Sequence, residues 1–165
     1  MQVRPLADAD VEAALDLFAA VAAEGLWLAT EAPFDRREVR ARWDDLVATG
    51  EGALLVADDG GAPIGLAAMV GRVEPELGML VRADRRRQGV GDALVAGCVA
   101  WARARGARRV VLHAFPHNRA ALALYRKHGF EERGVVCGGY RRRNGERWDA
   151  IRMVRELGPE RPPGQ

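Results

Sequence analysis

The chain has 165 residues, of which 48% are hydrophobic, and this is enough for one domain with a buried core. The composition excludes a wholly disordered chain, and no apolar run is long enough to span a bilayer. With 25 basic and 23 acidic side chains the net charge is +2, which is too balanced to predict a nucleic-acid partner. The N-terminal residues lack the apolar stretch of a secretory signal, so we expect a cytoplasmic protein without a membrane partner.

The two cysteines, Cys98 and Cys137, do not have the spacing of a metal site. Cys98 lies among apolar residues of a predicted helix, which favours a buried free thiol over a disulfide. The sequence therefore predicts no metal cofactor.

The first third of the chain predicts a short strand followed by two helices. Asp8 is the expected N-cap of the first helix, and Gly25 ends it. Residues 26–33 form a loop with apolar anchors, and Asp35 followed by Glu38 resembles a capping box that begins the second helix. The apolar faces predicted to be buried comprise Val11, Ala14, Leu15, Phe18 and Ala22, then Val39, Trp43, Leu46 and Val47.

Three strands are predicted next. Residues 53–57 and 64–70 are apolar, and the sequence Asp58-Asp59-Gly60-Gly61 between them has hairpin-turn chemistry. Residues 76–81 form the third strand, which leads directly into the most informative part of the chain.

That part is the stretch RRRQGVGDAL, residues 85–94, at a strand-to-helix turn. Gly89 and Gly91 let the backbone approach a ligand closely, because neither carries a Cβ atom. The first turn of the helix that follows leaves unpaired N–H donors and a partial positive charge, which together favour an anion. The physical reading is a cradle for a pyrophosphate, although a tight turn that needs glycines only for its geometry gives the same pattern.

The rest of the chain predicts a strand, a helix and a final hairpin. Residues 110–114 form the strand, Asn118 starts the helix and Gly129 stops it. The hairpin has strands at 130–140 and 148–154 around Asn144-Gly145, a type I′ turn signal. The element order β-α-α-β-β-β-α-β-α-β-β predicts one α/β domain over residues 1–157 with a mixed sheet and about four helices, followed by a disordered tail at 158–165.

Two segments resemble the signatures of GNAT-type (GCN5-related) N-acetyltransferases. Residues 86–91, RRQGVG, match the pattern Arg/Gln-x-x-Gly-x-Gly/Ala. Residues 118–130, NRAALALYRKHGF, are similar to Asn-x-x-Ala-x-x-x-Tyr-x-x-x-Gly-Phe, and the final hairpin also resembles members that acetylate amino acids or protein N-termini. Ala83 stands where many members have proline. A dinucleotide site is a poorer match, because Leu94 occupies the third glycine position of that motif.

The resemblance implies acetyl-CoA as co-substrate and a mixed sheet with a splayed strand pair. In the family the strand before the turn carries a bulge, so a main-chain N–H at Leu80 or Val81 would hold the thioester carbonyl, and Val81 would pair with the pantetheine arm. Asn118 would support the cofactor with its side chain, although it is equally suited to capping the helix. The implied cofactor-binding residues are Leu80, Val81, Arg86, Arg87, Gln88, Gly89, Val90, Gly91, Asp92 and Asn118.

Tyr125 matches the tyrosine that serves as general acid in the family, since a phenol can protonate a departing thiolate without being ionised at neutral pH. The base is open between Glu76, Glu74 and His113, or water. Glu76 ranks first because its strand should face the amine. Glu31, in the early loop, could instead bind a substrate ammonium.

The expected function is acetyl transfer from acetyl-CoA to a primary amine of a small molecule, such as an amino acid. Acetylation of a protein N-terminus or lysine is the alternative within the same chemistry. A non-catalytic acyl-CoA-binding module is disfavoured by Tyr125 and the acidic strand residues. The family also suggests a homodimer.

Overall fold

The computed structural model describes residues 1–158, and the expected disordered tail at 158–165 lies outside them apart from Gly158. The elements follow the predicted order. In chain order they are β1 (Gln2–Pro5), α1 (Val11–Ala23), α2 (Arg36–Ala48), β2 (Gly52–Asp58), β3 (Gly65–Val70), β4 (Glu76–Val81), α3 (Val90–Ala104), β5 (Arg109–Ala114), α4 (Arg119–Lys127), β6 (Glu131–Arg141) and β7 (Arg147–Glu156).

The strands form one seven-stranded sheet in the order β1-β2-β3-β4-β5-β7-β6. Neighbouring strands are antiparallel except β4 and β5, which are parallel and are joined through α3. This confirms the single-domain α/β fold with a mixed sheet and four helices.

The sheet is covered on both faces, and each face has its own apolar core. The helices α3 and α4 cover one face, where the fully buried side chains include Leu94, Val95, Cys98, Leu112 and Met153. The helices α1 and α2 cover the other face over β2 to β4, with a core that contains Leu17, Val21, Leu54, Val56, Leu66 and Leu80. Cys98 is a free thiol in the first core, as predicted, and burial raises its pKa to about 12.

Leu94 is the best single test of the first core, because it is 0% exposed and its Cδ1 packs directly over Gly65 of β3. We expect Leu94→Ala to lower the free energy of unfolding by about 2–5 kcal/mol, since the cavity can close only partially. Val135→Ala is the matched control: Val135 is 56% exposed, so its change should stay within about 0.5 kcal/mol. Urea unfolding of both variants measures the difference, and equal stability would contradict this packing.

Three local predictions were wrong. Asp10 occupies the N-cap position of α1 but makes no side-chain capping bond there. Its carboxylate accepts the Ala7 N–H at 3.0 Å at the start of a short 3₁₀ turn, in which Asp8 is the first residue. The carboxylate of Asp10 is also bound by Arg4 at 2.6 Å, a partner outside the helix that holds it at this position. Val47 is 55% exposed on the outer side of α2.

The third correction concerns the last hairpin. The Arg142 N–H donates to Glu146 O at 2.8 Å and the Gly145 N–H donates to Arg142 O at 3.0 Å, which leaves three residues in the loop. Gly145 has φ +90°, but Asn144 does not have a positive φ, so the turn is not type I′. A three-residue loop with glycine at the left-handed position is the next most common hairpin.

No helix in the described part of the chain is long and apolar enough to cross a membrane. Within the same residues, no group of three or more His, Cys, Asp or Glu side chains is arranged to hold a metal ion.

Candidate active site

A cleft of about 450 Å³ opens where β4, the N-terminus of α3, one face of α4 and the loop after α1 meet. Nine of the residues expected to form the site line this cleft: Leu80, Val81, Arg86, Arg87, Gly89, Gly91, Asp92, Asn118 and Tyr125. Of the other expected residues, Gln88, Val90 and Glu76 lie outside its wall.

The cleft lies at the splayed pair of strands. The parallel strands β4 and β5 are paired at Glu76 and Val111, where the Val111 N–H donates to Pro75 O at 3.0 Å, and no further pair joins them among the described residues. The register of β4 against β3 is unbroken along the whole of β4. The bulge that the resemblance implied is therefore not found in this pairing, and the strands separate without it.

Main-chain direction along β4 decides which groups face the gap. The Arg82 N–H donates to Ile64 O at 2.9 Å, which shows that even-numbered residues of β4 point their N–H and C=O groups at β3. The main-chain groups of Leu80 are consequently engaged with β3, although its side chain lines the cleft. The main-chain groups of Met79 and Val81 face the gap toward β5, where β5 does not pair with them.

The N-terminus of α3 presents free donors to the same cleft. Its first helical hydrogen bond runs from the Ala93 N–H to Gly89 O at 3.1 Å, so the N–H groups of residues 90–92 precede the helical ladder. Arg87 (φ +61°) and Gly89 (φ +82°) are both left-handed, which folds the turn back before the helix. The Gln88 side chain holds the turn by donating to Asp84 O at 2.9 Å. A Cβ at Gly89 would meet no protein atom within 4 Å, so this position borders open space.

Val90 lies beneath this turn. Its side chain is 3% exposed in the core between α3 and the sheet, so only its main chain can contribute to the cleft.

Arg86, at the first position of the glycine motif, is engaged with the protein. Its Nε donates to Val81 O at 3.1 Å, and its Nη1 donates to Glu24 Oε2 at 2.8 Å. The indole of Trp27 donates to the same Glu24 oxygen at 2.6 Å. The guanidinium holds the pKa of the Glu24 carboxyl below its usual range. Arg86 thus connects the end of α1 with the end of β4 and forms part of the wall of the cleft.

Asp92 places a carboxylate beside the expected anion site, but two basic side chains flank it. Lys127 Nζ donates to Asp92 Oδ1 at 2.6 Å, and His128 Nε2 lies 3.0 Å from the same oxygen. The hydrogen bond from Lys127 is the largest cause of the lowered pKa of Asp92. This contact ties the start of α3 to the end of α4 and brings Lys127 to the cleft.

Tyr125 is buried in α4 with its ring 5.8 Å from that of Phe130, and it borders the cleft. Burial raises its pKa well above the ordinary value, so the phenol keeps its proton at any physiological pH. Within residues 1–158 its hydroxyl has no protein hydrogen-bond partner. Asn118 lines the cleft and also caps α4, since its Oδ1 accepts the Ala121 N–H at 3.2 Å.

Two of the candidate bases form one pair. Glu76 Oε1 lies 2.8 Å from Nδ1 of His113 across the gap between β4 and β5. Burial raises the pKa of the Tyr140 phenol, and the charge of Glu76 raises it further. Tyr140 therefore lies near this pair. Glu74 is not part of this group: its carboxylate binds Arg109, which lowers its pKa.

The loop after α1 is fastened to the last hairpin. Arg142 is 3% exposed, donates to Leu28 O at 2.9 Å, and lies over the ring of Trp148 at 4.1 Å. Glu31 accepts the Arg143 N–H at 2.8 Å, so its carboxylate holds the hairpin. This carboxylate is already engaged and is not free to bind a substrate ammonium, contrary to the expectation from the sequence. Trp27 and Leu28 of this loop border the cleft.

Sequence reasoning missed Met79, Trp27 and Lys127. Met79 could not have been found, because the main-chain direction along β4 is known only from its hydrogen bonds with β3. Lys127 follows Ala120 and Ala123 at helical spacing on the face of α4 that lines the cleft, a signal already present in the sequence. Trp27 lies in an irregular loop, where no periodicity indicates its direction.

Gly91 is closely packed, and this gives a test of the cleft. A Cβ there would lie 2.8 Å from Leu124 Cδ2 and 3.4 Å from Met79 Cε, both of which border the cleft. We expect Gly91→Ala to push these side chains into the cleft and to raise the KM for acetyl-CoA about tenfold, or ~1.4 kcal/mol. Gly61→Ala is the control, because a Cβ at Gly61 meets nothing within 4 Å. Equal KM values for the two variants would show that this part of the wall does not contact the donor.

The arrangement combines an anion site at a helix N-terminus, unpaired main-chain groups in a strand gap, and a buried phenol. The sequence pattern of the acetyltransferase (GNAT) family matches residues 19–130, more than half of the chain. The chain belongs to the GNAT acetyltransferase family. The family comprises acetyltransferases, and one similar solved structure holds acetyl-CoA.

Relatives of this GNAT chain agree with the match. An uncharacterized N-acetyltransferase of Methanocaldococcus jannaschii is 32% identical over 112 residues, which cover 61% of the chain and 50% of that relative. The chain thus spans about half the length of this curated relative.

Two solved structures share the whole fold. The ribosomal-protein-alanine N-acetyltransferase from Brucella melitensis has a TM-score of 0.87 and 25% identity, covering 95% of the chain and 100% of that protein. A phosphinothricin acetyltransferase from Sinorhizobium meliloti, solved in complex with acetyl-CoA, has a TM-score of 0.85 and 25% identity, covering 95% and 88%.

Proposed function

We propose that this GNAT enzyme transfers the acetyl group of acetyl-CoA to a primary amine of a small molecule, either an amino acid or a compound like one. The observation that carries this proposal is the strand gap itself. It has free main-chain groups of Met79 and Val81 along one side, the Tyr125 phenol in the wall, and the Glu76–His113 pair across the gap.

The donor would be held by main-chain groups. The N–H donors of residues 88–92 are suited to its pyrophosphate, with Arg87 and Lys127 adding positive charge at the rim. The unpaired N–H and C=O groups of β4 are suited to the amides of its extended arm, which would take the place of a neighbouring strand. In this role Met79 replaces Leu80, whose main chain is engaged with β3.

Arg86 is better placed to position the site than to bind phosphate. The Arg86 side chain donates to Val81 O, so this carbonyl is not available to the arm of the donor. The Val81 N–H remains available to the arm. Its ion pair with Glu24 also fixes the end of α1, and thereby Trp27, at the cleft.

The acceptor amine would approach from the side of the sheet that carries Glu76 and His113. With Nδ1 directed at Glu76, the Nε2 atom of His113 is free to take a proton from the amine. Extending the parallel register from Glu76 and Val111 places His113 level with Gly78, toward the open end of the gap. The imidazole is therefore the member of the pair nearer to the reacting atoms, and Glu76 orients it.

Acetyl-CoA supplies a thioester, whose carbonyl carbon accepts the amine. A new C–N bond forms and the C–S bond breaks, with the electron pair of that bond leaving on sulfur. His113 takes the proton that the amine loses, and Tyr125 gives its phenol proton to the sulfur. A main-chain N–H of β4 in the gap would stabilise the negative charge on the carbonyl oxygen.

A small acceptor is favoured by the way the site is bordered. Arg142 and Glu31 fasten the loop after α1 to the last hairpin, which closes one end of the acceptor side. The alternative is an amine of a protein, and the ribosomal-protein-alanine N-acetyltransferase from Brucella melitensis, by its name, acts on one. An open groove for an extended peptide would require this loop to move.

Release of free thiol from acetyl-CoA, measured against a panel of amines, tests the proposal. We expect release with one class of small amine, together with a product heavier by one acetyl group in mass spectrometry. Turnover only with peptide N-termini or protein lysines would support the alternative. Binding of acetyl-CoA without turnover on any amine would indicate a binding module and contradict the proposal.

Two further expectations remain predictions. We expect a cytoplasmic location, because Cys98 and Cys137 are both free thiols and the proposed donor is an intracellular metabolite. We also expect a homodimer. Cell fractionation and size-exclusion chromatography would test them.

A further inference from the structure

Arg152 lies beside the proposed acceptor site on a neighbouring strand. In the antiparallel pairing of β5 with β7, Arg152 is directly opposite His113. Residues directly opposite each other point to the same face of a sheet, with their Cβ atoms about 5 Å apart. Arg152 therefore projects on the face where His113 meets Glu76.

The same face of the sheet carries further polar groups around positions that no side chain covers. Tyr140 is on this face because it is paired with Trp148, which is four residues before Arg152 along β7. Gly78, one pleat beyond Glu76 on β4, is exposed, and a Cβ there would meet no atom within 4 Å. On the outer side Arg152 is paired with Gly134, so β6 places no side chain over it. Neither glycine covers Arg152 with a side chain.

The guanidinium of Arg152 is half-buried and has no hydrogen bond or ion pair within residues 1–158. The other arginines near the site are occupied: Arg109 binds Glu74, Arg142 binds loop carbonyls, and Arg86 binds Glu24. The charge of Arg152 contributes to the lowered pKa of Glu74, but that carboxylate is bound by Arg109, so the hydrogen-bond donors of Arg152 are unused within the described residues.

We propose that Arg152 is a specificity-determining residue that binds a carboxylate of the acceptor, so that the preferred acceptors are amino acids rather than simple amines. This rests on the proposed function. A planar guanidinium binds a carboxylate through two parallel hydrogen bonds, which fixes the direction of the rest of the molecule. With the carboxylate at Arg152, the amine of an amino acid lies on the His113 side, toward the strand gap.

This assignment also separates small acceptors from proteins. The N-terminal residue of a protein carries its carboxyl group as an amide, and a lysine side chain has no carboxylate near its amine. Neither can form the charged pair with Arg152. The residue thus favours free amino acids over both protein targets.

The test compares amino acids with the corresponding amines that lack the carboxylate, such as alanine with ethylamine. For the wild-type enzyme we expect kcat/KM to be about 10- to 100-fold higher for the amino acid, the range of a charge-assisted pair. Arg152→Gln should raise the KM for the amino acid by the same factor. It should leave the KM for acetyl-CoA and the kinetics with the simple amine unchanged, and Arg152→Lys should restore part of the loss.

Arg141→Gln is the matched control. Arg141 is an exposed arginine on β6, paired with Arg147 and therefore on the opposite face from Tyr140 and Arg152, so its loss should leave both kinetic parameters unchanged. Equal use of the two acceptors by the wild type would overturn the assignment. So would an equal effect of Arg152→Gln on both acceptors, which would indicate a structural role.

If the wild type acetylates no amine, the proposed function fails but the role of Arg152 can still be measured. Calorimetric titration of alanine into the enzyme with CoA present should then show binding that Arg152→Gln weakens and Arg141→Gln does not. Binding that is the same in both variants, or no binding to the wild type, would refute the assignment by itself.

Discussion

Replacing Tyr125 with phenylalanine should lower kcat by about 10²- to 10⁴-fold, the usual contribution of a general acid. The substitution removes one oxygen atom and keeps the ring that packs on Phe130. Without the phenol proton, sulfur must leave as a thiolate. The KM for acetyl-CoA should stay close to the wild-type value, because the main-chain groups of β4 and α3 that bind the donor are unchanged.

The pH dependence gives a second check on Tyr125. Because burial raises its pKa, the acid stays protonated well above neutral pH, and its ionisation should not produce an alkaline decline below about pH 10. Thermal unfolding of the variant should match the wild type. A Tyr125→Phe enzyme with full kcat would remove the tyrosine from the mechanism.

Replacing His113 with glutamine should lower kcat/KM at neutral pH by about 10²-fold or more and remove the acidic limb of its pH profile. A general base accepts the proton of the amine only in its deprotonated form, and this requirement produces the acidic limb. Without the imidazole, the reaction depends on the fraction of amine that is already neutral. The profile should then rise through the pKa of the amine itself.

Glu76→Gln separates the two members of the pair. If Glu76 orients His113 through their contact at 2.8 Å, this variant should keep the acidic limb and lose less activity than His113→Gln. The opposite order, with the limb lost only in Glu76→Gln, would return the role of base to the carboxylate. Lys127→Ala, which alters the donor side, should leave the shape of the profile unchanged.

The sequence was most informative where a local chemical requirement can be met by few residue types. Gly89 needs a left-handed backbone at the start of α3, and Asn118 caps α4, so both the turn and the helix start could be predicted. The strand Glu76–Val81 was predicted with its observed ends, because a short apolar run bounded by polar residues favours a strand. The two family signatures, residues 86–91 and 118–130, both line the cleft. The reason is that each lies at or after the end of one of the two parallel strands, β4 and β5.

Features that depend on distant partners could not be predicted. Arg86 and Glu24 are 62 residues apart, and only the folded chain shows that the motif arginine is engaged. Glu76 and His113 were separate candidates for the base until the register of β4 and β5 brought them together. The main-chain direction that assigns Met79 rather than Leu80 to the gap depends on one hydrogen bond at the end of β4. A shift of one residue in that pairing would reverse it.

The central claim is that acetyl-CoA binds with its pyrophosphate at the N-terminus of α3 and its arm along β4. Titration of the ¹⁵N-labelled protein with acetyl-CoA, followed residue by residue by NMR, tests this claim most directly. We expect the largest amide shifts at Gly89, Val90, Gly91 and Asp92 and at Met79 and Val81, with a smaller shift at Leu80. Shifts confined to other parts of the protein, such as the turn at Arg141 to Arg143, would contradict it.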